Sequence, residues 1–338
     1  MIQNCPNRLI IGIVCLAADD HSVIFKLTKN MWSFKASQVF LTRRWFCKSS
    51  ISRAGIDLMS LEEKHSPGRE EFYFDILYGI HPISCALEAK RRTIETVYYR
   101  RDLVNRNERV KEILERCWTE NVKTLPLPQS KIDTIVPKGK PHQGLLAKAT
   151  RLYYKPTSCT QQSIAELLSG KEASKPVWLL LNEIQDPMNF GSILRSAYFM
   201  GCDKIFVTSH KSCSLTPVVS KASSGVMELM PIHSINNTTE FCKILKESNW
   251  DVVGTGSKAD DPNGTTYTPV GSFHLSHPTV IILGNEGRGL PDELVDFCTH
   301  KIYIESRNDL NKNVDSMNVS AAAAVILHSV LNNSNNRR

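Results

Sequence analysis

Three short polar stretches in the second half of the chain carry side chains suited to chemistry. The first, NEIQDPMNFGSILR (182–195), joins Asn189 and Arg195 to a turn shaped by Pro187 and Gly191. A turn that leads into a helix presents backbone N–H groups without partners, and the planar fork of a nearby arginine suits a phosphate. The second, GNEGRGL (284–290), sets Glu286 among Gly284, Gly287 and Gly289, which allow tight turning and close ligand approach. Its order is G-x-x-G-x-G, and it comes late in the chain, so it is not the dinucleotide fingerprint. The third, DSMNVSAAAA (315–324), places Met317 and Asn318 ahead of four alanines, with Ser316 or Asn318 positioned to cap a helix. Each alone has an ordinary explanation: a surface arginine, a turn, a capped helix. What those explanations leave open is why three such loops should gather at one edge.

The elements that must position them alternate. VWLLL (177–181), KIFVT (204–208), MELMPIH (227–233), DVVGTG (251–256), TVIILG (279–284) and KIYIE (301–305) read as strands. Between them lie helices over 190–200, 215–225, 238–249, 291–298 and 318–331, with Thr238 as an N-cap and Pro291 in a first turn. This pattern predicts an open, doubly wound, largely parallel sheet covered on both faces, with its chemistry in loops beyond the carboxyl ends of the strands.

Ahead of it, residues 72–155 read as a smaller α/β domain. It starts extended and turns helical over 76–92, with a strand at 96–100 and a helix at 107–117. TIV (134–136) and LLAKATRLYY (145–154) continue the alternation. Residues 156–176 read as a linker around one short helical piece, and 57–71 as a hinge. Of the +7 formal charge, residues 86–155 contribute a net +8 and residues 156–338 a net −3. A polyanion is therefore expected on the smaller domain, where Arg91, Arg92, Arg100, Arg101, Arg106 and Arg109 lie near Tyr98 and Tyr99.

Several classes are excluded. There is no H-E-x-x-H, no G-x-S-x-G and no Walker A loop, and the 10 cysteines include no C-x-x-C pair. No metal site is predicted, and the scattered thiols suit a reducing compartment. The apolar run 9–18 is too short to span a bilayer. Residues 21–56 hold seven Lys or Arg and no acid, interleaved with serines and aromatics, the composition of an organelle transit segment, with a second start at Met31. Residues 1–56 are accordingly read as a mitochondrial leader.

Taken together, NEIQDPMNFGSILRSAYFMG (182–201), IILGNEGRGL (281–290) and DSMNVSAAAAVIL (315–327) resemble the three motifs of the SpoU/TrmH (SPOUT) family, the S-adenosylmethionine-dependent RNA ribose 2′-O-methyltransferases. ILYGIHPISCALEAKRR (76–92) and HQGLLAK (142–148) are similar to text in that family's ribosomal-protein-like substrate domain. The resemblance implies a trefoil-knotted parallel sheet over 177–331, a tail at 332–338, and RNA binding by 72–155. It implies S-adenosyl-L-methionine as cofactor, held by Gly284, Ile304 and Met317 with Gly287 and Asn318, and Arg195, Asn189 and Glu286 as the catalytic group. It also implies a homodimer with the knotted helices at its interface, no metal and no membrane.

With the leader, the resemblance points to a guanosine ribose 2′-OH in mitochondrial large-subunit rRNA, modified in the matrix. Arg195 is the family's proposed general base. A guanidinium hardly ever deprotonates, so Arg195 is better read as a clamp on the adjacent phosphate and a stabiliser of the developing alkoxide. Asn189 is expected to position substrate groups, and Glu286 to hold Arg195 or a neighbouring loop. The alternatives are a tRNA 2′-O-methyltransferase, a non-catalytic RNA-binding assembly factor, and a dinucleotide-dependent oxidoreductase, against which the missing early G-x-G-x-x-G speaks.

Overall fold

The computed structural model describes residues 74–136, 139–168, 175–256, 267–306 and 316–332, all within one unit, Glu70–Arg338. The leader, the start at Met31, the hinge at 57–71 and the tail beyond 332 lie outside the described residues.

The first half is built from β1 (Phe74–Tyr78), α1 (Ile80–Ala89), β2 (Ile94–Tyr99), α2 (Glu108–Thr119), β3 (Lys123–Pro126), α3 (Gln129–Ile135) and β4 (Leu145–Thr150). Its sheet has the order β1-β4-β2-β3, with β4 antiparallel to both neighbours and β3 parallel to β2. Val110, Ile113 and Cys117 recur along one stripe of α2 and bury it against Ile80, Ile83 and Leu87 of α1. Asn107 caps α2 by accepting the Val110 N–H at 3.3 Å. The stretch 134–136, read as continuing the alternation, is instead the end of α3, whose Ile132 packs with Tyr78, Leu127 and Leu146. A three-residue apolar run does not distinguish a period of two from one of 3.6.

The second half runs β5 (Lys155–Thr157), α4 (Gln161–Leu168), β6 (Val177–Leu181), α5 (Pro187–Met200), β7 (Lys204–Thr208), α6 (Pro217–Ala222), α7 (Val226–Leu229) and β8 (Ile232–Ile235). It continues with α8 (Thr238–Glu247), β9 (Asp251–Gly256), β10 (Thr268–Pro269), β11 (Thr279–Leu283), α9 (Asp292–Val295), β12 (His300–Tyr303) and α10 (Val319–Asn332). Eight strands pair in the order β10-β12-β9-β11-β6-β7-β8-β5, every pair parallel. β6 and β11 are apolar or β-branched at all positions and buried at all of them, as a strand covered on both faces requires. One face is packed by α5, α6, α7 and α10, the other by α4, α8 and α9. The path through 307–315, on which a knot would turn, lies outside the described residues.

Three local expectations change. The strand expected over 227–233 divides into α7 and β8: Gly225, at φ 89°, opens a fresh helical turn, and the strand begins only at Ile232. The helix expected over 215–225 ends at Ala222 for the same reason. Asn237, not Thr238, caps α8 by accepting the Glu240 N–H at 3.0 Å. Within 156–176, β5 adds an edge strand beside β8, and α4 covers the sheet with Ile164.

Candidate active site

The strand order reverses between β6 and β11. After β6 the chain moves out through β7 and β8, whereas β11 has β9 on its other side. Such a switch point leaves a crevice beyond the carboxyl ends, and the loops 182–186 and 284–290 occupy it. The Asn182 N–H donates to the Leu283 carbonyl at 2.9 Å, and Asn285 Nδ2 donates to the Glu183 carbonyl at 2.9 Å. The second loop closes on itself: the Asn285 and Gly289 backbones exchange bonds of 3.0 and 2.9 Å, and the Gly287 N–H donates to Asn285 Oδ1 at 3.0 Å. Gly284 sits under this closure. A Cβ there would lie 2.5 Å from the Gly289 carbonyl carbon and 2.8 Å from the Leu290 nitrogen, so only glycine fits.

Two helix starts face this loop. Asp186 caps α5 by accepting the Asn189 N–H at 2.7 Å. Asn318 caps α10 by accepting the Ser320 N–H at 3.0 Å and the Ser320 hydroxyl at 2.6 Å. With its Oδ1 so engaged, Asn318 has its amide N–H₂ left to donate, and it does so to Asn189 Oδ1 at 3.0 Å. Asn189 in turn donates to Glu286 Oε1 at 2.6 Å. One asparagine therefore ties together the three stretches singled out in the sequence. Both polar ends of its amide serve this tie. Glu286 thus holds its loop to the start of α5 through Asn189, and among the described residues it forms no hydrogen bond or ion pair with Arg195, the other option the sequence left.

Further along the rim, the register sets Gly284 one residue beyond Leu283, level with the ends of β9 at Gly256 and β12 at Tyr303. Ile304 follows at once and packs half-buried against the core. Gly284 and Ile304 are thus about two ladder spacings apart, roughly 10 Å, on one edge. Met317 is 48% exposed just before α10, and Gly287 is exposed on the closed loop. Gly256, Gly284, Ile304 and Met317 are uncharged and offer glycine backbone and apolar side chains. This rim suits the adenosine and alkyl parts of the expected methyl donor.

Arg195 is exposed on α5, and the described residues give it no hydrogen bond or ion pair. The basic residues of the first half divide. Of Arg91 and Arg92, both expected on RNA, Arg92 is buried, and Arg91 is half-buried with one nitrogen engaged. The Arg92 side chain is 0% exposed, with Nε 2.9 Å from Glu228 Oε2 and Nη1 3.2 Å from Asp75 Oδ2. Arg91 Nη1 donates to the carbonyls of Met227, Glu228 and Met230 at 2.9, 3.2 and 2.8 Å. Nη1 carries two N–H bonds, so one of them is shared between two of these carbonyls, and the carboxyl end of α7 attracts the charge. Burial raises the Glu228 pKa, an effect opposed by Arg92, the Ser220 hydroxyl and Arg91.

Arg100 bonds Asp102 and Gln129 at 2.5 and 2.8 Å, half-exposed, while Arg101 is exposed. The sequence reading missed His81, Gln143 and Lys221. His81 and Gln143 stand in HPISC and HQGLL, the stretches that carried the family resemblance, but Lys221 had no signal in its own neighbourhood. Among the described residues no group of three or more His, Cys, Asp or Glu could hold a metal, and no helix is long and apolar enough to cross a membrane.

A parallel α/β sheet with its polar loops tied at a switch point, behind a separate α/β substrate half, defines an RNA methyltransferase of the SPOUT class. The chain belongs to the SpoU rRNA methylase family, whose model matches residues 176–328, and the model for RNA 2′-O ribose methyltransferase substrate binding matches 76–155. The chain is 34% identical over 260 residues to rRNA methyltransferase 1, mitochondrial, of Homo sapiens, covering 76% of this chain and 72% of that one. It is 26% identical to the 23S rRNA (guanosine-2′-O-)-methyltransferase RlmB of Coxiella burnetii, over 75% and 94% of the two chains. Among solved structures, the SpoU methyltransferase AviRb of Streptomyces viridochromogenes in complex with AdoMet shares the fold. Its TM-score is 0.59 at 20% identity, covering 76% of this chain and 89% of that one.

Proposed function

We propose that this chain methylates the ribose 2′-OH of a guanosine in mitochondrial large-subunit rRNA, in the matrix and as a homodimer, with S-adenosylmethionine as donor. The observation that carries this is the Asn318–Asn189–Glu286 chain of bonds, which draws three loops of the family's motifs to one rim. The names of the human and Coxiella relatives supply the substrate and the compartment. The methyl-transfer half is assigned to 177–331, the RNA-binding half to 72–155, and 156–176 joins them.

Gly284, Ile304 and Met317 would hold the donor, bordered by Gly287 and Asn318. Bound there, S-adenosylmethionine supplies a methyl group already activated by the positive sulfur. The chain's own task is alignment and charge. Arg195, without a partner among the described residues, grips the phosphate beside the target ribose and stabilises the oxygen as it loses its proton. A guanidinium has donors and no acceptor, so the proton leaves to solvent or to the phosphate rather than to Arg195. Asn189 and Glu286 fix the loops around that position. For the homodimer, Phe199 at 85% exposure, Tyr198 and Val325 lie on α5 and α10, which pack together, and offer a second copy an apolar face.

The test is a map of ribose methylation across organelle RNA after loss of this protein. Loss of one guanosine 2′-O-methyl mark in large-subunit rRNA is expected. An unchanged rRNA map with a mark missing from tRNA would replace the substrate assignment.

A further inference from the structure

His81 on the first turn of α1, Arg109 on the first turn of α2, Arg195 on α5 and Lys221 on α6 bring basic side chains of both halves together. Arg109 Nη1 lies 3.2 Å from His81 Nε2. A guanidinium has no acceptor, so Nε2 accepts and the ring is neutral with its proton on Nδ1. Lys221 Nζ donates to Gln143 Oε1 at 2.8 Å, and the same oxygen accepts the Ile80 N–H at 3.2 Å. The His81 pKa is lowered by burial first, then by the charges of Arg109, Lys221 and Arg195 in turn.

Among the described residues none of these three cations has a carboxylate partner. Elsewhere in the first half Arg100, Arg106, Lys111, Arg116 and Arg151 each pair with an acid. Like charges gathered without a counter-charge repel, and an anion joining them is favoured. Beside His81 and Arg109, between α1 and α2, opens a cavity of about 290 Å³ lined also by Ser84, Leu87, Glu112, Ile113 and Arg116, the last paired with Glu120. That is the lower end of ligand-pocket size, with apolar walls and a hydroxyl and a carboxylate able to meet a base edge.

We infer that this cleft is a nucleotide subsite for the RNA substrate: Arg109, Lys221 and Arg195 hold its backbone phosphates, and one base enters between α1 and α2. His81 is a positioning residue that fixes the Arg109 fork. The inference rests on the methyltransferase reading and names where its substrate strand crosses between the halves.

The experiment uses the full chain and an unmodified transcript of mitochondrial large-subunit rRNA, with binding measured from about 50 to about 200 mM salt. Arg109→Gln and Lys221→Gln should each reduce the slope of log affinity against log salt by about 0.7, one single-strand phosphate contact. Ser84→Phe fills the cleft without removing a charge and should weaken binding roughly tenfold at an unaltered slope. If its melting temperature falls, Ser84→Leu takes its place. Unchanged slopes overturn the phosphate assignment, and undiminished binding by the filled-cleft variant overturns the base assignment. Methyl transfer by the parent is read on the same transcript. Reduced slopes without any transfer would remove the methyltransferase reading and leave the anion site. Transfer with unchanged slopes would remove the site alone.

Discussion

Two groups of cations have opposite fates. Arg91 and Arg92 are sunk between the halves, matched by Glu228, Asp75 and three carbonyls. Arg109 stands at an open cleft, and neither it nor Lys221 or Arg195 is paired with an acid among the described residues. Each group even holds a histidine kept neutral by its surroundings: His233 near Arg91, and His81 near Arg109. The difference teaches that a count of basic residues locates a polyanion only after the acids that fold against them are subtracted.

The strongest break of this comparison is at the buried group. Glu228→Ala strands Arg92 in the junction and should cost about 3–5 kcal/mol in urea unfolding, most of it recovered by pairing the change with Arg92→Met. A loss no larger than that of a surface substitution would mean the junction is not held by this pair. At the open group, Arg195→Lys keeps the charge and removes the fork. Turnover should fall about 100- to 1000-fold while the melting temperature holds, and unchanged turnover would sink the planar clamp.

The histidines sharpen the contrast. Burial, then Lys155, Lys204 and Arg91, push the His233 pKa down to about 4. Its neutral form is the folded form, so its stability contribution is present above the usual histidine range and is lost as the solution is acidified toward 4. Between about pH 7 and about pH 5 the parent should lose about 2 kcal/mol more than His233→Gln, read by denaturant titration at each pH. Equal losses would show that His233 is not the group responsible. The smallest effect expected is that of Asn318→Ala, which removes the α10 cap and one tie to Asn189, at about 1 kcal/mol in stability. A larger fall in methyl transfer than in stability would assign the tie to the site rather than to the helix.

Much of the second half was legible because its signals are local. Continuous apolar runs mark β6 and β11, Asp186-Pro187 marks the start of α5, and Asn318 ahead of the alanines marks α10. That the loops share the carboxyl edge was legible from the alternation, but which of them lie side by side was not, because strand order is not written in any one strand. The fate of Arg92 was not legible at all. It depends on Glu228, 136 residues away, on a helix whose turn the sequence reads as a strand. Lys221 is hidden in the same way, since only folding brings it to Gln143, 78 residues earlier.

Arg91 closes on three carbonyls at the end of α7 in a junction where Arg92 is already locked. A joint so riveted gives the molecule no elbow. If the smaller half grips the strand as proposed, the reach from that grip to the altered sugar is set by this joint, like the jaws of a gauge.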